Sequence, residues 1–264
     1  MSPKRKPDIT GAQGAAYRVT KRFGFLHPSE MSLEDVAMDR GVVVIPGGLE
    51  GSEARLVRKA GRGIIRVKAG AHQTGRWRFS VTHELGHWEQ HKGTQWFACS
   101  AKDLRDYEKS PEEAEANTFA AEFLMPTFML RERCEKAFPS LSLVKGIAAE
   151  FKVSLTSAAI RMMHLTKQES VLVLSESKCV DWWIVKSQRV GVWLQAGQCL
   201  SEESLAFHAF DGERVDDEVV EHGADVWFPH RYEGIDFAVS EQSMKLGGYN
   251  SVLTILNIGD SPFD

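Results

Sequence analysis

The first 165 residues of the chain contain segments with a helical spacing of apolar residues and segments with a strand-like pattern. A helical period of 3.6 predicts helices over residues 12–25, 32–40, 78–91, 111–126, 127–138 and 143–165. Runs rich in β-branched residues predict strands over residues 42–45, 54–58 and 63–67. Residues 59–63 include two glycines and predict a hairpin turn between the last two strands. The pattern therefore indicates an α+β fold.

Beyond residue 168 the pattern changes to short β-rich runs separated by polar segments. These runs cover residues 171–174, 182–185, 190–194 and 252–256. We therefore expect three regions in the chain. They are an α+β domain over residues 1–140, a segment with the turn pattern of a helix-turn-helix over residues 141–168, and a β-rich domain over residues 169–264.

The composition is that of a globular protein, with 43% hydrophobic and 26% charged residues among 264. No run approaches 18 apolar residues, and no apolar segment follows the basic N-terminus, so we expect a cytoplasmic protein that contacts no membrane. Residues 1–167 carry 26 Lys/Arg and 19 Asp/Glu (+7), whereas residues 168–264 carry 6 and 17 (−11), which sums to −4. The basic part suits nucleic acid or an acidic protein, and the acidic part disfavours phosphate backbones.

The pattern HExxH occurs at residues 83–87, inside a predicted helix. Residues four apart share one helix face, so His83 and His87 can bind one Zn²⁺ while Glu84 faces the open coordination position. Such an ion acidifies its bound water, and Glu84 would then act as the general base of a hydrolase. His91 lies one turn, about 5.4 Å, further along the axis, so we expect it beside the site or at the surface and not as a ligand.

The next predicted helix offers a third ligand. Glu113 and Asn117 are four residues apart on one face, so Glu113 can reach the metal while Asn117 holds the second nitrogen of a ligand imidazole. Gly86 leaves room where the HExxH helix must pack closely against a neighbouring element. Glu112 and Glu115 point elsewhere, and we expect both to be solvated.

The stretches FSVTHELGH, residues 79–87, and EAEANTFAAEFLMP, residues 113–126, resemble the ImmA/IrrE family of metallo-endopeptidases. The resemblance extends from about residue 15 to residue 165 and implies a zincin-like domain with Glu113 as the third zinc ligand. It also implies cleavage of a helix-turn-helix repressor that controls a DNA-damage, stress, mobile-element or antiphage-defence operon. IrrE-type proteins carry a GAF-like sensor after the protease, so residues 169–264 are expected to bind an activator, either a small molecule or single-stranded DNA.

A second class of function is a non-catalytic regulator that binds DNA through residues 143–165 and holds zinc only for structure. We expect these residues to pack on the protease domain instead. Structural zinc usually has four protein ligands, so an open position beside Glu84 favours the enzyme.

The four cysteines form no CxxC pair and imply no disulfide framework. Cys99 lies twelve residues after His87 and could be the fourth ligand of a structural zinc. In an enzyme, the same thiolate could bind the zinc of a resting protease, as in the cysteine switch of matrix metalloprotease zymogens, or Cys99 could be merely buried. Cys134, Cys179 and Cys199 are expected to act as small apolar residues.

Overall fold

A computed structural model describes residues 5–49, 53–69, 73–92, 110–187, 194–213, 215, 218–228, 237–247 and 250–259, and the backbone of residues 96–99. Two compact units divide the chain: Met1–Met129 with Ala148–Ser154, and Leu130–Ile147 with Leu155–Asp264. The domain boundaries at residues 140 and 168 stay predictions, because a division into compact units does not show which segments fold independently. Among the described residues, no helix combines the length and apolar character needed to cross a membrane.

The first unit contains four helices and a four-stranded sheet among its described residues. Helices α1 to α4 span Ile9–Arg22, Leu33–Asp39, Gly75–Gln90 and Pro111–Leu124. Strands β1 to β4 span Val42–Gly47, Ala54–Lys59, Arg62–Lys68 and Trp96–Cys99. The sheet order is β1-β3-β2-β4, with β1 parallel to β3 and the other pairs antiparallel. The structure confirms the predicted strands and adds β4, which the sequence pattern did not predict.

The predicted hairpin turn between β2 and β3 is also confirmed. Its two central residues, Ala60 and Gly61, have φ of 48° and 76°. Two positive φ values are typical of a type I′ turn, whose twist matches that of the flanking strands. The hairpin forms the centre of the sheet on which α3 packs.

Trp88 joins the C-terminal turn of α3 to the sheet. Its indole N–H donates to the carbonyl of Arg40 at 2.9 Å, and the guanidinium of Arg58 lies 4.1 Å from its ring centroid. A Cβ at Gly63 would lie 2.9 Å from the Trp88 ring, so this position on β3 requires glycine for the contact. These contacts fix where α3 ends relative to the sheet.

Helices α3 and α4 approach each other closely at Gly86. A Cβ added there would lie 3.1 Å from the Cα of Ala116, tighter than ordinary contact. The expected role of Gly86 in close packing is therefore confirmed. Each helix begins at a side-chain cap: the hydroxyl of Thr74 accepts from the backbone N–H of Trp77, and that of Ser110 accepts from the backbone N–H of Glu113.

Four more α-helices and a five-stranded sheet follow among the described residues, and the sheet lies in the second unit. Helices α5 to α8 span Thr127–Lys136, Leu141–Phe151, Leu155–Leu165 and Leu205–Phe210. Strands β5 to β9 span Ser170–Glu176, Cys179–Lys186, Val220–Gly223, Ala238–Leu246 and Ser251–Ile258. The sheet is antiparallel with the order β6-β5-β9-β8-β7. The β-rich character of this region was predicted, whereas α8, β7 and β8 were not, and residues 190–193 of one predicted strand lie outside the described residues.

Helix α7 packs on the sheet of the second unit, against β5 and β6. We expected the whole segment 143–165 to pack on the protease domain, but only Ala148–Ser154 belongs to the first unit. The reason is the composition of α7, whose buried residues are apolar except for Arg161 and whose contacts are with the sheet. The GAF-like assignment of residues 169–264 stays a prediction.

A buried carboxylate lies inside this second unit. Glu241 on β8 is 0% exposed, and it accepts hydrogen bonds from the backbone N–H of Ala206 at 2.7 Å, the indole N–H of Trp227 at 2.9 Å and the hydroxyl of Ser243 at 2.8 Å. Nε2 of His222 lies 3.1 Å from its second oxygen. These donors satisfy the carboxylate and join α8 to the sheet.

Candidate metal centre

Three side chains with metal-binding atoms meet between α3 and α4. Nε2 of His83 lies 3.1 Å from Nε2 of His87. The Glu113 carboxylate lies 3.1 Å from Nε2 of His83 and 3.3 Å from Nε2 of His87. Both histidines are fully buried. Within the part of the chain that the structure describes, this is the only group of three or more His, Cys, Asp or Glu side chains placed to hold a metal ion.

The spacing of these atoms fits a tetrahedral ion. Zinc bonds of about 2.0–2.1 Å to nitrogen and oxygen place neighbouring ligand atoms of a tetrahedron about 3.3 Å apart. The three separations in this site are 3.1, 3.1 and 3.3 Å. Two imidazoles and one carboxylate are also the donor set of many catalytic zinc sites. The three described ligand atoms therefore fit three corners of the tetrahedron around a zinc-like ion.

Asn117 determines which nitrogen of His83 can bind a metal. The side-chain oxygen of Asn117 lies 2.9 Å from Nδ1 of His83 and accepts a hydrogen bond from it. A neutral imidazole that donates through Nδ1 keeps a lone pair on Nε2, the atom nearest Glu113. Asn117 itself is fully buried. The structure thus places Asn117 where the sequence predicted it.

A chain of side chains orients the second imidazole in the same way. Nε2 of His91 lies 2.8 Å from Glu115, a carboxylate that also accepts from Arg5 at 2.8 Å and from the backbone N–H of Asp8 at 2.6 Å. Because the Nε2–H of His91 donates a hydrogen bond to Glu115, the Nδ1 of a neutral His91 acts as an acceptor. Nδ1 of His87 lies 2.9 Å from that atom and donates to it. His87 therefore also keeps its Nε2 lone pair for the site.

This chain of contacts corrects one prediction. Glu115 was expected to be solvated, but it is 3% exposed. It is buried because Arg5 and the backbone of Asp8, more than 100 residues earlier in the chain, cover it. The sequence did place His91 beside the site, and its spacing of four residues from His87 was the available signal.

Burial and ion pairing set the charges of the ligands. Burial raises the pKa of Glu113, but hydrogen bonds with His83 and His87 outweigh burial, and the pKa lies well below its ordinary value. Burial lowers the pKa of His87 to about 4. Burial also lowers the pKa of His83, but the hydrogen bond with Glu113 and the charge of Glu84 outweigh it, so this pKa is raised. At neutral pH the Glu113 carboxylate is therefore ionised and His87 is uncharged, and a bound cation would displace the proton that the raised pKa favours on His83.

The two remaining predicted residues lie on α3 and β4. Glu84 follows His83 on α3 and is 0% exposed. The backbone of Cys99 ends β4 opposite Ala54. The side chain of Cys99 lies outside the described residues, so its contact with a metal stays a prediction.

Comparison with known proteins gives two findings. Residues 37–163 match the family described as the IrrE N-terminal-like domain, peptidase M78. The fold is similar to that of a Mycobacterium tuberculosis transcriptional regulator, with a TM-score of 0.61 and 14% identity over 94% of this chain and 76% of that chain. At this identity the likeness concerns the fold alone. No curated protein matches the chain.

Proposed function

Because residues 37–163 belong to the IrrE N-terminal-like family of peptidase M78 domains, we propose that this protein is a zinc-dependent endopeptidase. The observation that carries the proposal is the meeting of His83, His87 and Glu113, with the lone pairs of both Nε2 atoms available to one ion. An HExxH helix with a glutamate third ligand leaves one coordination position open, which is the arrangement of a hydrolase.

The mechanism assigns one task to each side chain. Zinc held by His83, His87 and Glu113 would supply Lewis-acid polarisation of the scissile carbonyl and acidification of water. Glu84 accepts the proton of the attacking water on a carboxylate oxygen and then passes it to the leaving amine. Its complete burial keeps bulk water away from this carboxylate, which strengthens its interactions with nearby charges.

The proposed substrate is a helix-turn-helix repressor. Its cleavage would derepress an operon for the response to stress or DNA damage, for a mobile element or for antiphage defence. Two observations support this choice. The family of residues 37–163 is that of the ImmA/IrrE-like proteases. The positive balance of residues 1–167, +7 by formal charge, suits an acidic protein partner or one bound to DNA.

The test is a Glu84→Gln variant assayed against the repressors encoded near this protein. The amide cannot accept the proton of water, so cleavage should fall by about 10²–10⁴-fold while the bound metal stays. Glu89→Gln, on the same helix but paired with Arg40, is the matched control and should cleave like the parent. Gel and mass analysis of the fragments measure cleavage, and elemental analysis measures the metal. Undiminished cleavage by Glu84→Gln would assign the base to another residue.

A DNA-binding regulator with a structural zinc is the second candidate function. It is favoured by the helix pair α6 and α7 and by the similarity of the fold to that of a Mycobacterium tuberculosis transcriptional regulator. Four residues on α7 are fully buried, which argues against base contacts through that face: Ala158, Ala159, Met162 and Met163. Operator binding by the purified chain, together with unchanged gene regulation by Glu84→Gln, would favour this candidate.

The second unit is proposed to control the protease by binding a small molecule or single-stranded DNA. A test on the whole chain is preferable to truncation, because Gln242 accepts from the backbone N–H of Leu141 and Asn257 donates to the carbonyl of Pro139. Removal of residues 169–264 would therefore expose the preceding helices. Cleavage should increase when the activating ligand is added to the full chain. If no oligonucleotide or metabolite changes the rate, the sensor role is wrong.

Cys99 is proposed to silence the resting protease as a fourth ligand. Cys99→Ala should then cleave the repressor without an inducing signal, whereas Cys134→Ala, at a buried cysteine on α5, should stay inducible. Cleavage in the absence of inducer measures the difference. If Cys99→Ala cleaved no more repressor than the parent in the absence of inducer, Cys99 would have only a packing role.

A further inference from the structure

Cys179 and Cys199 lie opposite each other at the edge of the second sheet. Cys179 begins β6, the edge strand, directly after a tight turn in which Ser177 and Lys178 have φ of 51° and 62°. An isolated antiparallel bridge pairs Cys179 with Cys199, on the side of β6 away from β5. We expected these cysteines to act as small apolar residues, but Cys179 is half-buried and Cys199 is exposed.

The backbone hydrogen bonds show how the two cysteines face each other. The N–H of Leu200 donates to the carbonyl of Lys178 at 2.9 Å, and the N–H of Val180 donates to the carbonyl of Gln198 at 2.8 Å. The cysteines between these bonds form a non-hydrogen-bonded pair, in which the Cα atoms are about 4.5 Å apart and the side chains are closest. That separation falls within the range of about 4.4–6.8 Å found for disulfides.

The neighbours of the cysteines hold this geometry in place. Val180 and Leu200 are buried in the core of the second unit, so the cysteines next to them point away from that core. The Cys179 thiol donates to Sγ of Cys199 over 3.6 Å, and side-chain rotation is sufficient to close this gap. That hydrogen bond raises the pKa of Cys179, so the first nucleophilic attack falls to the more exposed Cys199.

We propose that Cys179 and Cys199 form a dithiol modification site that reacts with low-molecular-weight disulfides of the glutathione type. The Cys199 thiolate attacks one sulfur of the small disulfide, forms a mixed disulfide and releases the first small thiolate. The Cys179 thiolate then attacks Sγ of Cys199 and releases the second. The protein loses two electrons and two protons, and the small disulfide gains both as two thiols.

The product joins two residues that are 20 positions apart. It would add a covalent link to the backbone hydrogen bonds that hold the segment around Cys199 on the edge of β6 in the reduced protein. A covalent link of this loop length restricts the unfolded chain and therefore stabilises the second unit. Such a reversible link is the form in which disulfides occur in reducing compartments.

The experiment uses the full chain with Cys99→Ala and Cys134→Ala, which leaves only the pair. Both this protein and its Cys179→Ser derivative are reduced, treated with oxidised glutathione and analysed as intact proteins by mass spectrometry. The pair should lose two hydrogens and carry no glutathione, because Cys179 resolves the mixed disulfide. The Cys179→Ser derivative should keep one glutathione on Cys199.

Two results would overturn the proposal. One is a glutathione adduct that persists on the protein with both cysteines, as it does on Cys179→Ser. The other is the absence of any reaction in both proteins. Thermal unfolding gives a second measurement: oxidation should raise the Tm of the pair protein by about 5–10 °C and leave that of Cys179→Ser unchanged. An unchanged Tm in both would show that the bond does not fix the edge segment.

Discussion

Glu113 and Glu241 are carboxylates enclosed in the first and the second unit, and their partners differ in kind. Glu241 accepts three hydrogen bonds, from a backbone N–H, an indole and a hydroxyl, and also lies 3.1 Å from Nε2 of His222. Glu113 instead faces the Nε2 atoms of His83 and His87, which are set as lone-pair donors by their outer contacts. A carboxylate surrounded by hydrogen-bond donors needs no further partner, whereas a carboxylate between two Nε2 atoms needs a proton or a metal cation that the three groups share. The partners, more than the burial, therefore distinguish a structural acid from a candidate ligand.

The largest effect that tests this comparison is loss of metal from Glu113→Gln. The variant removes a charged ligand atom, so metal affinity should fall by at least about 100-fold, more than substitutions outside the ligand shell produce. Glu241→Gln should bind metal like the parent. Competition with a chromophoric chelator measures both affinities. Equal affinity in Glu113→Gln and the parent would contradict the ligand assignment.

Stability should show the opposite ranking. Glu241→Gln leaves buried donors without a charged acceptor, so the free energy of unfolding should fall by about 3 kcal/mol. Glu221→Gln, at an exposed position on β7, is the control and should change stability by less than about 0.5 kcal/mol. Urea denaturation followed by circular dichroism gives both values. If Glu241→Gln were as stable as Glu221→Gln, the structural role assigned to the Glu241 carboxylate would be wrong.

A smaller effect on metal affinity should distinguish Glu115 from Glu112, the two carboxylates that bind Arg5. Glu115 orients His91 and through it His87, so Glu115→Gln and His91→Ala should lower metal affinity by about 10–100-fold. Glu112 also binds Arg5 but is more exposed, and Glu112→Gln should bind metal like the parent. The same chelator competition applies. If all three variants retain the parental affinity, the contacts of His91 serve packing only.

The smallest effect is a pH dependence. Burial raises the pKa of Glu115, but hydrogen bonds from Arg5, the backbone of Asp8 and His91 outweigh it and lower the pKa to about 2. A lowered carboxylate pKa contributes stability above its ordinary value of 4.5, and this contribution is lost as the pH falls towards 2. At pH 6 the free energy of unfolding of the metal-free parent should therefore be about 1–2 kcal/mol larger than that of Glu115→Gln, and this difference should shrink below pH 4.5. A difference of the same size at pH 3 would contradict this assignment.

The parts of the site that the sequence predicted are local. His83 with His87, and Glu113 with Asn117, are pairs four residues apart on helices, and helical geometry alone places each pair on one face. The contact between Arg5 and Glu115 joins residues 110 positions apart, and no periodic pattern encodes it. The outer support of His87 could therefore not be predicted, although His91 itself could.

The second sheet was predicted in part for a related reason. Strands β5 and β9 contain runs of β-branched and aliphatic residues, whereas β8 has the sequence AVSEQSMKL. Ser240, Glu241, Gln242 and Ser243 are all buried there, so neither face of β8 shows an apolar period. Their hydrogen bonds make the strand stable in the core, and these bonds depend on partners elsewhere in the chain.

The short separations among the three ligand atoms also determine which cations the protein discriminates against. Calcium takes six to eight oxygen atoms at about 2.3–2.6 Å, and magnesium requires an octahedron of oxygen atoms that is mostly water. A set of two buried imidazole nitrogens and one half-buried carboxylate, spaced 3.1–3.3 Å apart, provides neither arrangement. The abundant hard cations of a cell are thus poor competitors for this site. Selectivity is left to the borderline transition metals, among which availability and preferred geometry decide occupancy.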